Sequence, residues 1–172
     1  MKVDPAIVQI HAENVRAEIL PPITGKKLDP AIVDKIKRNV PIFAGMPPDY
    51  LMSTLAVADH FAVQAGEPVF NEGDIGGAFY VLVAGEVRVE KLRHGTVVEL
   101  ARMGPGECFG EMALFSPGRG ARTASVETTT ETRILTIRAP ALLRASSLCQ
   151  MHFYKGFLEV LASRLSLANS RI

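Results

Sequence analysis

GEPVFNEGDIGGAFYVLVAGEVRVEK, residues 66–91, is the stretch from which the fold is read. Glycines cut it into short apolar runs, Pro68–Phe70 and Ala78–Val83, and the alternation Val87-Arg88-Val89-Glu90 follows. Period two is the mark of a strand with one buried face. Of the 14 glycines in the chain, 11 lie between Gly66 and Gly120, which confines the turn-rich β region to that span. Working outward, strands are predicted at Phe61–Val63, Glu86–Leu92, Thr96–Arg102, Glu107–Phe109, Ala121–Glu127 and Glu131–Arg138. Ala84-Gly85 and His94-Gly95 read as hairpin turns. Short strands at regular spacing with glycine turns predict a barrel or sandwich.

Helical patterns flank the strands. The first 25 residues read as a helix, broken at Pro21, Pro22 and Gly25. Leu28–Arg38 reads as a second helix with Asp29 as N-cap and Pro30 in the first helical position. Pro41–Met46 is expected to turn and Pro47–Ala56 to form a short helix. After Pro140 the period becomes helical. Met151, Tyr154, Leu158, Leu161, Leu165 and Ala168 recur at alternating spacings of three and four, a heptad-like seam. A second stripe, Phe153, Phe157, Val160 and Leu167, lies on an adjacent face. One stripe is expected to dock on the strands. The other is expected to meet either a second copy or the chain's own N-terminal helices, because a monomer seldom exposes so broad an apolar face.

Residues 109–126, FGEMALFSPGRGARTASV, carry the chemistry. A glycine and a carboxylate open a short helical turn, a loop follows, and an arginine enters an alternating strand. Backbone N–H groups at the start of a helical turn favour an anion, and Met112 and Ala113 would offer theirs. Gly110 lets backbone come close to a ligand. An arginine fork such as Arg122 or Arg119 can grip two phosphate oxygens at once. Glu111 accepts hydrogen bonds only, so it suits a sugar hydroxyl. Each residue also has a plainer reading: a solvent-facing strand arginine, and an acid favoured by the helix dipole.

This stretch resembles the phosphate-binding cassette of the cyclic-nucleotide-binding domain family, and residues 66–91 resemble that family's β-roll. The likeness runs from about Val40 to the C-terminal helix. It implies a mainly β fold: a jelly-roll-like double-stranded β-helix with N-terminal helices and a long C-terminal helix. Residues 1–39 would then be a helical segment, and 40–172 the nucleotide-binding domain with its C-terminal helix. The resemblance assigns the phosphate to Arg122 rather than Arg119, with Phe109, Gly110, Met112, Ala113 and Ala124 around it and Glu111 on the ribose. Thr123 is where a hydroxyl is linked to cGMP tolerance. Val83, Leu100 and Ala101 match purine-lining positions, and Arg164 is the helix residue placed to stack on the base. The implied ligand is a 3′,5′-cyclic nucleotide, cAMP ahead of cGMP, sensed through movement of the C-terminal helix. The alternative is a roll that has lost its ligand and serves as a structural or dimerisation module.

Composition bounds the rest. Hydrophobic residues at 48% and charged residues at 22% describe a globular chain. A net charge of +1 argues against a dedicated nucleic-acid surface. No apolar run is long enough to cross a bilayer, and the charged N-terminus does not read as a signal peptide. Two widely separated cysteines, Cys108 and Cys149, predict a reduced, cytoplasmic protein. Enzyme signatures are missing: the chain lacks a G-x-x-x-x-G-K-[ST] loop, its four histidines are scattered, and Ser125 has no nucleophile context. Neither a catalytic role nor a resident metal or cofactor is expected. A metal-binding roll of the cupin type would want paired histidines on its strands. With no helix-turn-helix pattern after the last helix, the expectation is a stand-alone sensor. It would act on an effector protein, with a homodimer through the C-terminal helix as one arrangement.

Overall fold

The computed structural model describes residues 17–19, 30–112 and 120–170, with side chains from residue 34 onward. In chain order the elements are β1 (Ala17–Ile19), α1 (Pro30–Asn39), a 3-10 turn (Pro41–Phe43), α2 (Pro48–Ala56) and β2 (Asp59–Val63). Next come β3 (Pro68–Phe70), β4 (Ala78–Ala84), β5 (Val87–Arg93), β6 (Thr96–Met103) and β7 (Cys108–Phe109). The chain closes with β8 (Ser125–Thr128), β9 (Thr132–Arg138), α3 (Ala139–Leu143) and α4 (Ser147–Asn169).

Two antiparallel sheets face each other, one ordered β1-β2-β9-β4-β7 and the other β3-β8-β5-β6. This is the expected roll with flanking helices. Between the sheets lies one core, with Phe61, Val69, Phe70, Tyr80, Leu82, Val87, Phe109, Val126 and Ile134. A second core fills the space between the first sheet and the helices, with Ile42, Phe43, Leu51, Leu55, Phe79, Val81, Ile137, Phe153 and Phe157. β4 therefore serves both: Ala78, Tyr80 and Leu82 enter the roll while Phe79 and Val81 meet the helices. A strand covered on both faces reads as a continuous apolar run, as AFYVLV does. β6 lies at a sheet edge and is exposed along most of its length.

Helix α4 begins where Ser146 caps it, its hydroxyl accepting from the Cys149 N–H at 3.2 Å. Of the two apolar stripes on α4, the one holding Phe153 and Phe157 docks, with Phe153 5.0 Å from the Phe79 ring. Leu167 of that stripe is exposed. On the heptad seam Met151, Leu158 and Leu165 are exposed, and Tyr154 and Leu161 pack partly against the core.

Three expectations are corrected. Ala17–Ile19 is strand rather than helix, pairing antiparallel with Phe61–Val63. The open edge of β2 outweighs local helix propensity, a routine tertiary override. The other positions of the expected N-terminal helix and the Asp29 cap lie outside the described residues. The strand expected over Ala121–Glu127 begins only at Ser125. Before it, Arg122 bonds the 73–74 turn instead of a ladder, its N–H donating to the Asp74 carbonyl and its carbonyl accepting from the Gly73 N–H. Ala84-Gly85 is no hairpin turn, because β4 and β5 belong to different sheets. His94-Gly95 is one: φ is 52° and 81°, the two positive values a type I′ turn requires.

Phe153 joins α4 to the double-faced strand, so Phe153→Ala is expected to cost ~3–5 kcal/mol of unfolding free energy. Denaturant titration checks this; a loss under about 1 kcal/mol, the ordinary cost of a point substitution, would mean that α4 is not held by this contact.

Candidate functional site

A cavity of about 150 Å³ opens at one end of the roll. Phe109, Gly110, Glu111 and Met112 form one side, Arg122, Thr123 and Ala124 another, and Arg164 reaches in from α4. The floor is apolar: Phe70, Val89, Met103 and Val126. A larger hollow of about 860 Å³, between α2 and the β9–α3 corner, holds the Asp59–Arg138 ion pair at 2.9 Å and brings no buried cation inward. The smaller cavity is where the chemistry gathers.

Arg122 is only 3% exposed. Its Nη1 donates to the Gly110 carbonyl at 2.7 Å, and Nη2 lies 3.5 Å from the Tyr80 hydroxyl. The guanidinium carbon sits 4.3 Å from the Phe70 ring centroid and 5.4 Å from that of Tyr80, cation–π distances worth ~0.5–2 kcal/mol each. Tyr80 is itself stacked on Phe109, centroids 5.2 Å apart. Room for the guanidinium comes from Gly76, where a Cβ would stand 2.3 Å from Nη2, and from Gly110, where it would stand 2.9 Å from Nη1. Among the described residues no carboxylate pairs with Arg122, and its buried Nε has no hydrogen-bond partner. Burial pulls its pKa down, while the Tyr80 hydroxyl and Asp74 pull the other way. An arginine keeps its charge regardless, so the cavity holds a desolvated cation that pairs with no carboxylate among the described residues. That is an unfavourable arrangement until a counter-charge arrives.

Glu111 is also buried, at 6% exposure. Its Oε1 accepts from Arg164 Nη1 at 2.8 Å. The second nitrogen, Arg164 Nη2, donates to the Cys108 carbonyl. Arg164 thus faces the carboxylate and backbone of the cassette, a placement the expectation of a base-stacking arginine did not contain. Lys91 Nζ donates to the Thr123 carbonyl at 2.9 Å and pins the entry to β8. The Cys108 thiol is pushed up to about 11 by burial, against the opposing pull of Arg164, so it stays protonated near neutrality.

Of the residues singled out in the sequence, Phe109, Gly110, Glu111, Met112, Arg122, Thr123, Ala124 and Arg164 line this one cavity. Ala113 and Arg119 lie outside the described residues. Val83, Leu100 and Ala101 are not on the cavity wall. Val83 (39% exposed) falls at the register shift between Leu82 and Ala84, and Leu100 (46% exposed) at the shift opposite Val89 and Glu90. Ala101 pairs with Val89 on the exposed edge strand. In their place stand Val89, Met103, Phe70 and Val126. The alternation of Val87 and Val89 carried that signal; which face it served was set by sheet pairing. Among the described residues no group of three or more His, Cys, Asp or Glu could hold a metal ion, and no helix is long and apolar enough to cross a membrane.

Known proteins match this arrangement. The family model described as "Cyclic nucleotide-binding domain" matches residues 60–147. The CRP-like cAMP-activated global transcriptional regulator of Mycobacterium tuberculosis is 30% identical over 81% of this chain and 62% of its own. A cAMP-dependent protein kinase regulatory subunit of Schizosaccharomyces pombe is 33% identical over 66% of this chain and 26% of its own. The crystal structure of Thermus thermophilus catabolite activator protein superposes with a TM-score of 0.66 at 30% identity, covering 76% of this chain and 61% of that one. This chain therefore spans less than two thirds of the relatives it matches. With a family model covering the roll from β2 through β9, and with the roll itself built as that match requires, the chain belongs to the cyclic nucleotide-binding domain family.

Proposed function

We propose that this chain binds a 3′,5′-cyclic nucleotide at the end of its roll, cAMP ahead of cGMP, and passes its occupancy to a protein partner through helix α4. The observation that carries the reading is Arg122, a buried guanidinium whose Nε has no hydrogen-bond partner and which pairs with no carboxylate among the described residues. A cyclic phosphate is a compact monoanion of the size that fork accepts. Glu111 supplies the acceptor for the ribose 2′-hydroxyl, which remains free in a 3′,5′-cyclic nucleotide. The N–H group of Met112 is offered to the phosphate, and Val89, Met103 and Thr123 to the base. The preference for cAMP rests on the names of two relatives, one cAMP-activated and one a subunit of a cAMP-dependent kinase. Both are named as regulators, which favours regulation over catalysis here. The two free, buried cysteines suit a cytoplasmic setting.

Calorimetric titration, after stripping co-purified nucleotide, tests the ligand. Expected is one site per chain, with cAMP tighter than cGMP. Arg122→Ala should weaken cAMP by ~2–5 kcal/mol, the cost of breaking a buried charged pair. Arg122→Lys should also weaken it, because the fork is lost. A folded Arg122→Ala protein losing less than about tenfold, ~1.4 kcal/mol, would overturn the assignment. No heat from the unaltered protein with either nucleotide would overturn the ligand.

A dimerisation role is favoured by a separate observation: Met151, Leu158 and Leu165, seven residues apart on α4, are all exposed. A second copy supplies the same seam and would bury it. The mycobacterial relative is named a transcriptional regulator, but the near-neutral charge of this chain favours protein over nucleic acid. Leu158→Glu should convert a dimer to monomer in sedimentation while leaving cAMP affinity within about twofold, since an exposed site away from the cavity is close to neutral. A monomeric unaltered protein would remove the dimer.

A further inference from the structure

The ladder between β5 and β8 ends at the pair Glu90↔Ser125. Residues 122–124, which bring Arg122, Thr123 and Ala124 to the cavity wall, lie beyond that last rung. Their backbone is held at Arg122 by the 73–74 turn, through two hydrogen bonds of 2.8 Å. At Thr123 a side chain takes the place of the missing rung. Lys91, the next residue of β5, donates from Nζ to the Thr123 carbonyl at 2.9 Å. The ammonium is itself aimed. Glu72 Oε1 stands 3.3 Å from it, and Glu72 Oε2 accepts from the Leu92 N–H at 3.2 Å. The Glu72 N–H in turn donates to Ser125 Oγ at 2.9 Å. The turn at Glu72, the 91–92 stretch of β5 and the entry to β8 are thus closed into one ring of hydrogen bonds around a single ammonium. The Lys91 and Glu72 side chains are each only 34% exposed. A hydrogen bond from a charged donor is stronger there than a neutral one. Lys91 does not line the cavity, so whatever it does for a ligand it does through Thr123.

We propose that Lys91 is a positioning residue of the nucleotide site, and that affinity for a cyclic nucleotide depends on its hold on the Thr123 carbonyl. This rests on the nucleotide reading above. A peptide unit is planar, so fixing the Thr123 carbonyl fixes the plane that joins Thr123 to Ala124. Thr123 is exposed and sits in a bend outside the sheet. Without the tie that bend is free to rotate, carrying the Thr123 hydroxyl and the Ala124 methyl off the cavity wall and loosening the backbone next to Arg122. A ligand that has to order these residues as it binds gives up affinity in doing so. Lys91 orders them beforehand. The work belongs to the donor and not to the methylene stem: methionine keeps the apolar length without an N–H, and arginine keeps both charge and donors. Glu72 serves by aiming the ammonium, so its loss is felt only while Lys91 is present.

Calorimetry with cAMP on the full chain tests this, together with hydrogen exchange. Lys91→Met should weaken cAMP about tenfold and Lys91→Arg by less than about threefold, the difference being one charge-assisted hydrogen bond. Glu72→Gln should weaken cAMP about threefold alone and no further in the Lys91→Met background, the non-additivity of residues in one network. Arg102→Met removes ion pairs to Glu86 and Glu99 on the same sheet. It should leave affinity within about twofold, as a substitution away from the site does. Without nucleotide, Lys91→Met should speed exchange over the amides of residues 122–125 while β4 and β9 keep their protection, which shows an intact fold. Affinity unchanged in Lys91→Met would overturn the proposal. So would an equal loss in Lys91→Arg, the sign of a packing role, or an equal loss in Arg102→Met, the sign of a sheet weakened as a whole. If the unaltered protein binds neither cAMP nor cGMP, the nucleotide reading falls and this proposal with it. Binding by the unaltered protein that Lys91→Met leaves intact overturns this proposal alone.

Discussion

Strand β4 is buried on both faces, and the rest of the molecule is arranged around that constraint. Alternate side chains along Ala78–Leu82 belong to two different cores. Neither the second sheet nor the helical layer can be taken away without returning part of this strand to water, at ~25 cal/mol for each Å² of apolar surface exposed. The consequence for the site is direct. Phe79 carries the contact with Phe153 of α4, and its neighbour Tyr80 stands on the other face beneath Arg122. The helix and the binding end of the roll are therefore fastened to adjacent residues of one strand, and each is positioned relative to the other by the same backbone.

At the end of the roll two buried charges are handled in opposite ways. Arg122 lies among aromatic rings and two positions without side chains, with a backbone carbonyl and a distant hydroxyl for partners. Glu111 is given a full counter-charge, delivered by α4 from 53 residues away in the chain. A desolvated cation held by ring quadrupoles is ready for a small anion. A carboxylate with one oxygen paired still offers its second oxygen as an acceptor. Together they bring to one cavity a guanidinium that pairs with no carboxylate among the described residues and a carboxylate tied to α4.

The 109–126 stretch offered Glu111 and two arginines, and the resemblance to the family's cassette chose Arg122 over Arg119; the structure brings Arg122 and Glu111 to one cavity. The strands of the roll were legible where alternation is regular, as in Val87–Glu90. The apolar wall was not. Val83, Leu100 and Ala101 came from the family resemblance; the structure sets Val83 and Leu100 at register shifts and Ala101 on an exposed edge strand, all off the cavity wall. Ala17–Ile19 reads as helix because nothing local reveals that β2 has an edge to fill. The start of β8 is set by hydrogen bonds from Arg122 to the turn at residues 73–74, some 48 positions earlier.

What the sequence by itself determined is what depends on near neighbours: short strands of a barrel or sandwich, from their period and the spacing of the glycines, with the resemblance of the 66–91 and 109–126 stretches adding the roll and the choice of Arg122 and Glu111. Only the tertiary structure decided which side chains face those two groups. Phe70 and Tyr80 reach Arg122 from β3 and β4, Gly76 clears space for it from the intervening turn, and Arg164 meets Glu111 from the last helix. The physical reason is that a buried charge takes its partners by distance in space, and in an antiparallel roll the residues nearest in space come from strands and helices far apart in the chain.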